Sequence, residues 1–176
     1  LTAGADIQVW AEGVTLEGVE TLTRSELAPG PRLVLWTLPP GRRERAAAIA
    51  RVQPQELIVF GQDAGLDEAD PFLERLAGLV AFALNRRDGW LDLSAATARL
   101  GHRPGTVEAG LRWLEAGGQL RIVEREDAAW RLARGTGQGD PQAVGEACLQ
   151  LDALLAETAA YRDYLRTAPV QALAHL

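Results

Sequence analysis

Residues 90–120 read WLDLSAATARLGHRPGTVEAGLRWLEAGGQL, and this stretch decides the fold. Its first half predicts a short helix after Asp92, whose carboxylate can cap the free backbone amides of a first helical turn. Ala96 and Leu100 stand four residues apart, so they line the same face of that helix. Gly101 ends the helix, because glycine readily adopts the left-handed conformation that follows a last helical turn.

The second half predicts a turn, a second helix and a strand. His102-Arg103-Pro104 forms the turn, and the helix runs from Thr106 to Ala116 before Gly117-Gly118 ends it. A hairpin follows, with strands at Leu120–Val123 and Trp130–Ala133. Helical spacing turns three side chains of the second helix inward: Val107, Leu111 and Leu114.

A longer helix precedes this stretch. It opens at Asp70-Pro71, with aspartate expected at the N-cap and proline at the first helical position, and it ends near Arg86-Arg87. Its apolar stripe contains Phe72, Leu76, Leu79 and Ala83. Together these elements predict a winged helix; an ordinary pair of helices followed by a hairpin is the alternative.

The residues before it predict a β-α-β unit. Two continuous apolar runs, Leu33–Trp36 and Leu57–Phe60, are typical of strands buried on both faces of a parallel sheet. Helix Arg42–Val52 lies between them and would form the right-handed crossover. Ile7–Trp10 and Val19–Thr23 are weaker strand candidates.

A long helix is predicted last, from Asp140-Pro141 to Thr167-Ala168-Pro169. Its buried face is expected to contain Val144, Cys148, Leu151, Leu155 and Leu165. The predicted fold class is therefore α/β: a small Rossmann-like β-α-β sheet, a winged-helix-like segment and a long C-terminal helix. The expected subdomains are residues 1–70 for the sheet, 71–135 for the winged helix and 136–176 for a helix that packs back on the domain.

Composition limits the function classes. All 18 basic residues are arginine, and 24 acidic residues give a net charge of -6, which argues against a general nucleic-acid binder. No apolar run approaches the roughly 18 residues that span a bilayer, so no membrane contact and a cytoplasmic location are expected. The sequence has no Met and opens at Leu1, which favours a domain cut from a longer protein.

Catalytic and cofactor motifs are missing from the sequence. The turn Leu38-Pro39-Pro40-Gly41 is no phosphate-binding loop, because two prolines remove amides that would hold phosphate. His102 and His175 have no metal-ligand neighbours at useful spacing. Four acids are expected to lie in a solvated loop: Asp63, Asp67, Glu68 and Asp70. We therefore expect no catalytic, cofactor-binding or metal-binding residue in this chain.

Arginines are the candidate contact residues. The outward face of the second winged-helix helix is expected to present Gly105, Thr106, Glu108, Ala109 and Arg112, which is poor in the side chains that read DNA bases. The candidates for contact with a partner or with DNA are Arg42, Arg43, Arg45, Arg86, Arg87, Arg99, Arg103, Arg112, Arg121 and Arg131. Solvated surface charge is the alternative interpretation of each.

Between Arg32 and Gly135 the chain resembles the C-terminal accessory domain of bacterial RecJ single-stranded-DNA exonucleases. The strand carrying the resemblance is Leu33-Val34-Leu35-Trp36-Thr37-Leu38-Pro39-Pro40, followed by a helix, Gln53-Pro54 and Ile58-Val59-Phe60-Gly61. In that family a similar apolar strand ends in paired prolines. The helix with Phe72-Leu73, Leu76-Ala77-Gly78-Leu79 and Ala83-Leu84-Asn85, and the winged-helix pattern after it, are similar too.

The resemblance implies a non-catalytic part of a larger enzyme. RecJ proteins degrade single-stranded DNA from its 5′ end in repair and recombination, with Mn or Mg held in a catalytic core whose motifs have no match here. The accessory domain is expected to bind single-strand-binding protein or a repair helicase, and single-stranded DNA only through the parent. The acidic tail of single-strand-binding protein fits the turns at Arg42-Arg43-Arg45 and Arg86-Arg87.

Two rival interpretations stay open. One is a winged-helix transcription regulator that binds DNA and carries an α/β ligand-sensing part. The other is a small α/β enzyme, which is the weaker rival because no acid-base pair or cofactor loop stands out. The parent reading frame would separate the nuclease domain from the regulator.

Overall fold

The structure is a computed structural model that describes residues 7–168. Its first part is a parallel sheet in the order β1 (Ile7–Trp10), β2 (Arg32–Thr37) and β3 (Glu56–Gln62). Helix α1 (Arg42–Val52) connects β2 to β3. The predicted β-α-β unit and its parallel strands are therefore confirmed.

The apolar core of this first part lies on one face of the sheet. Trp10, Leu33 and Leu35 point to that face and pack against Ala48 and Val52 of α1. The alternation of side chains along each strand sends the neighbouring residues to the opposite face.

Two strand predictions need correction. Residues 19–23 form no strand, and only Leu22 makes an isolated parallel bridge to Trp10. β3 was predicted to be buried on both faces, but none of its seven residues is fully buried. Phe60 in β3 is accordingly 54% exposed.

The second part is winged-helix-like in the order of its helices and strands. Its elements in chain order are α2 (Ala69–Arg86), β4 (Trp90–Asp92), α3 (Leu93–Leu100), α4 (Pro104–Ala116), β5 (Leu120–Arg125) and β6 (Ala129–Arg134). Strands β4, β6 and β5 form an antiparallel sheet in that order. The sequence pattern missed β4, because three residues are too few to show an alternation.

Most helix ends follow the local sequence, although α4 begins at Pro104 and not at the predicted Thr106. The Asp92 carboxylate accepts the Ala95 amide at 2.9 Å, and Gly101 ends α3 at a φ of 63°, both as predicted. α2, however, starts after Glu68, so Asp70 lies in its first turn and is not the N-cap. An acidic side chain is still favourable there, because it faces the positive end of the helix dipole.

Helix α5 (Pro141–Thr167) lies antiparallel to α4. The Asp140 carboxylate caps it, and the Asp140 amide donates to the carbonyl of Ala116 at the end of α4. Of its predicted buried face, Leu151, Leu155 and Leu165 are buried, whereas Val144 and Cys148 are only partly so. No helix within residues 7–168 combines the length and the apolar character needed to cross a membrane.

Arg162 joins the two parts of the structure. Its side chain is 4% exposed, and its Nε donates to the carbonyl of Leu38 at 3.2 Å. Its two terminal nitrogens donate to the carboxylate of Asp67 and to the carbonyl of Gly101. One guanidinium thus holds the loop after β2, the loop after β3, the end of α3 and helix α5 together. Asp67 was expected in a solvated loop; it is instead ion-paired and mostly covered.

His102 is buried beside this guanidinium. Its Nε2 donates to the carbonyl of Leu66 at 2.8 Å, and its ring meets the edge of Phe72 at a centroid distance of 5.1 Å. Burial, reinforced by the charge of Arg162, lowers the pKa of His102 to about 3. The imidazole is therefore neutral near pH 7, and its contact with Asp67 at 3.5 Å is not an ion pair there.

Replacing Arg162 should destabilise the fold strongly. In Arg162→Met the volume is kept, but the Asp67 carboxylate loses its buried counter-charge, so we expect a loss of about 3–5 kcal/mol in the free energy of unfolding. The measurement is urea denaturation, with Arg166→Met as the control. Arg166 pairs with Asp163 at the surface, and its loss should cost less than about 1 kcal/mol. Equal effects of the two substitutions would contradict the role given to Arg162.

Stability should decrease as the pH falls below about 6.5. The pKa of His102 is about 3 in the folded chain and ordinarily 6.5, so the unfolded chain binds the extra proton between these values. The contribution of neutral His102 to the free energy of unfolding is complete above pH 6.5 and is lost as the pH falls toward 3. Between pH 7.5 and pH 5 the loss should be about 2 kcal/mol.

The matched variant for this prediction is His102→Gln, which retains a donor for Leu66 and does not titrate. Urea denaturation at both pH values should show a smaller loss in the variant. An equal loss in both proteins would show that other groups cause the acid sensitivity.

Candidate functional site

Helix α4 occupies the position from which winged helices read DNA, but α5 covers much of it. Thr106 and Ala109, expected on the outward face, are 0% and 2% exposed. Hydrogen bonds hold α5 to both ends of α4. The Asp140 amide donates to the carbonyl of Ala116, and Arg103 before α4 donates to Glu157 of α5 at 2.8 Å. The expectation for Thr106 and Ala109 was wrong, because the sequence of α4 alone does not show what packs against it.

The part of α4 that stays accessible is poor in base-reading groups. Arg112 is its exposed cation, and the carboxylate of Glu108 lies 3.9 Å from it, one helical turn away. Gly105 contributes no side chain. A helix that reads the major groove usually presents several arginine, asparagine or glutamine side chains at its front. This face is therefore poorly suited to sequence-specific recognition.

The candidate arginines divide into three groups. Arg45 is 1% exposed, so it is not accessible to a docked partner, and its place in that set is corrected. Arg103 and Arg112 are engaged by Glu157 and Glu108. The exposed candidates are Arg42, Arg43, Arg86, Arg87, Arg99, Arg121 and Arg131.

Two of the exposed arginines line an apolar groove between α2 and the start of α3. This α2–β4 groove has a volume of about 480 Å³ and is lined by Leu79, Phe82, Arg87, Trp90, Leu91, Asp92, Ala95, Ala96 and Arg99. Phe82 is 54% exposed at its edge, and Trp90 is half-buried. The groove thus combines aromatic and aliphatic walls with cations.

Cations stand close to both aromatic rings of the groove. The guanidinium of Arg87 lies 5.8 Å from the ring centroid of Phe82. That of Arg131 lies 6.0 Å from the ring centroid of Trp90, within cation–π distance. Asp92 is the acid among the lining residues, and its carboxylate already accepts the Ala95 amide. The groove therefore favours a ligand that is apolar at one point and negatively charged beside it.

A second groove between α1 and α4 has a more balanced charge. Arg42, Arg43 and Arg103 line this α1–α4 groove, whose volume is about 520 Å³. Glu44 and Glu157 line it as well, and Glu157 pairs with Arg103. An anion entering here would meet carboxylates as well as guanidinium groups, so this groove is the weaker anion site.

The α2–β4 groove could be found only in part from the sequence. The sequence identifies Arg87, Arg99 and Arg131 as candidate contact residues, but it does not show that Phe82 and Leu79 form a wall of the groove. A sequence signal existed: Phe82 falls outside the stripe of Phe72 and Leu76, which is unusual for a large aromatic residue on an amphipathic helix. No group of three or more potential metal ligands occurs in the part of the chain that the structure describes.

Comparisons with known proteins add no identification. No protein-family model matches this chain, and neither the curated proteins nor the solved structures contain a significant match.

Proposed function

We propose that this chain is the non-catalytic C-terminal docking domain of a RecJ-like 5′–3′ single-stranded-DNA exonuclease that acts in cytoplasmic DNA repair and recombination. The resemblance between Arg32 and Gly135 suggests the parent. The observation that carries a docking role is the α2–β4 groove, in which apolar walls and guanidinium groups stand side by side.

The partner that best fits this groove is the acidic C-terminal tail of single-strand-binding protein. An apolar side chain near the end of such a tail would occupy the space between Phe82 and Trp90. The terminal carboxylate would then lie within reach of Arg87 and Arg99, and charge-assisted hydrogen bonds of this kind are among the stronger ones. A repair helicase with a similar acidic segment is the alternative partner.

A winged-helix transcription regulator is the second candidate. The order of helices and strands from α2 to β6 favours it. The cover of α5 on α4, and the single exposed cation that faces Glu108, weigh against it. Contact with single-stranded DNA is therefore assigned to the parent enzyme, with weak phosphate contact at most from this domain.

We expect the acidic C-terminal peptide of a bacterial single-strand-binding protein to bind the groove. Arg87→Glu and Arg99→Glu should each weaken binding about tenfold or more, because a hydrogen bond to a charged group contributes roughly 1.5–3 kcal/mol. Phe82→Ser should weaken it similarly through the lost apolar contact. Isothermal titration calorimetry of the full chain measures these affinities.

The chain offers matched controls for each substitution. Arg42→Glu and Arg43→Glu make the same charge change in the α1–α4 groove, and Phe60→Ser removes an equally exposed phenylalanine elsewhere. These variants should bind within about twofold of the unmodified chain. If Arg42→Glu and Arg43→Glu abolish binding while Arg87→Glu does not, the tail occupies the α1–α4 groove and the assignment above is wrong.

Binding of this chain to DNA should be weak, independent of sequence and steeply salt-dependent. Few phosphates can be neutralised by a protein of net charge -6, so affinity should fall sharply between about 50 and 200 mM salt. Fluorescence anisotropy with labelled duplex and single strands tests this, and Arg112→Ala should change little. Nanomolar, sequence-dependent binding that Arg112→Ala removes would favour the regulator.

A further inference from the structure

Three buried polar atoms on the α1–α4 groove have no hydrogen-bond partner within residues 7–168. They are Oε2 of Glu44, Nε of Arg103 and the hydroxyl of Tyr161. A buried polar atom without a partner costs free energy, because nothing replaces the hydrogen bond that it makes to water in the unfolded chain. Three such atoms around one cavity of about 520 Å³ therefore favour a polar occupant, either water or a ligand.

Two helices also begin at this groove, and neither N-cap residue has a side chain that caps the first turn. Gly41 precedes α1, Arg103 precedes α4, and both residues line the groove. The first turn of a helix has amides without intrahelical partners and lies at the positive end of the helix dipole, so it favours an anionic group. The exposed side chains of Arg42 and Arg43 add positive charge at the rim.

Space in the groove depends on the absence of a side chain at Gly41. Its φ of -171° is extended backbone that any residue adopts, so conformation does not require glycine here. A Cβ at this position would lie 2.5 Å from Oε2 of Glu44 and 3.2 Å from Cδ of Arg103. The side chains of Glu44 and Arg103 therefore border the same small space, which a larger residue would fill.

The charges of the groove select a ligand that carries both signs. Oε2 of Glu44 needs a donor and Nε of Arg103 needs an acceptor, so a simple anion or a simple cation would leave one of them unpaired. Burial raises the pKa of Tyr161, so its hydroxyl stays protonated and can donate to a carboxylate. Three arginines and two glutamates line the groove, which leaves an excess of one positive charge: Arg42, Arg43, Arg103, Glu44 and Glu157. An amino acid with an acidic side chain carries one ammonium group and two carboxylates, so its single net negative charge matches this excess.

We propose that the α1–α4 groove binds a free dicarboxylic α-amino acid, with its ammonium group on Glu44 and one carboxylate on Arg103 and Tyr161. The second carboxylate lies toward Arg42 and Arg43 at the rim. Because Glu44 belongs to α1 and Tyr161 to α5, the bound ligand contacts both parts of the structure. This site is separate from the α2–β4 groove and does not depend on the docking role, since a residue inside an acidic tail has no ammonium group.

The test uses the full chain, labelled with ¹⁵N, and L-glutamate as the probe. L-Glutamate should shift the Nε–H signal of Arg103 and the amides of residues 41–44, with half-saturation at or below about 1 mM. It should also raise the melting temperature, because it binds only the folded chain. Three control compounds each lack one feature: glutarate has no ammonium group, 4-aminobutyrate has a single carboxylate, and inorganic phosphate is an anion only. Each should bind at least about tenfold more weakly.

Substitutions that keep the shape of the side chain provide the matched variants. Glu44→Gln and Tyr161→Phe should each lower the affinity for L-glutamate about tenfold or more, because each removes one partner of a charged group of the ligand. Gly41→Ala should lower it as well by filling the space beside Glu44. The controls are Glu74→Gln on the exposed side of α2 and Tyr164→Phe, whose ring is 54% exposed on α5; both should bind within about twofold of the unmodified chain. Circular dichroism checks that each variant folds.

Several outcomes would overturn the proposal. No saturable shift at about 10 mM L-glutamate would leave water as the occupant of the groove. Equal binding of glutarate or phosphate would show a site for anions alone. Shifts confined to other surfaces, or equal effects of Glu44→Gln and Glu74→Gln, would show that the ligand does not bind here. None of these results would change the binding of the acidic peptide at the α2–β4 groove, so the two proposals fail separately.

Discussion

The buried guanidinium of Arg162 is the constraint on which the arrangement of the two parts depends. A guanidinium that is removed from water needs most of its hydrogen bonds satisfied, since an unpaired buried charge costs several kcal/mol. Arg162 finds its acceptors on three separate segments: Leu38, Asp67 and Gly101. Planar donor geometry allows little freedom in where those segments lie. The ends of the sheet and the winged helix are therefore fixed relative to α5.

The position of α5 in turn determines which surfaces of the molecule are accessible. Because Arg162 holds the C-terminal half of α5 against the turn between α3 and α4, the helix must run along α4. The face that would enter a DNA groove then becomes core, as the burial of Ala109 shows. The candidate groove bordered by Arg87 and Arg99 lies instead between α2 and the start of α3. The accessible part of α4 thus keeps one cation, Arg112, with Glu108 beside it.

Sequence reasoning succeeded where the causes are local. Asp92 and Asp140 each cap a helix with their own carboxylates, and Gly101 ends one by its conformation, so neighbouring residues were enough to place these helices. It failed where the cause lies far along the chain. Asp67 belongs to a stretch of acids that looks solvated, yet its partner Arg162 is 95 residues away. No pattern within a single element shows such a pairing.

The candidate site shows the same division. Arginines near the groove were visible as charges, but the burial of Arg45 and the exposure of Phe82 depend on tertiary packing. The apolar stripe of a helix predicts which of its residues can be buried. No comparable rule predicts the exposure of an aromatic residue that lies outside the stripe. Sheet faces are harder still, because the apolar runs Leu33–Trp36 and Leu57–Phe60 predict the same burial, yet Val34 is 7% exposed and Phe60 54%. The C-terminal end of α5 also reaches the sheet, where Leu165 and Tyr161 pack with Leu38, Leu57 and Val59. The cover on α4 and the contacts of the sheet thus both depend on a helix about a hundred residues further along the chain than the β-α-β unit, which no pattern within α4 or the strands shows.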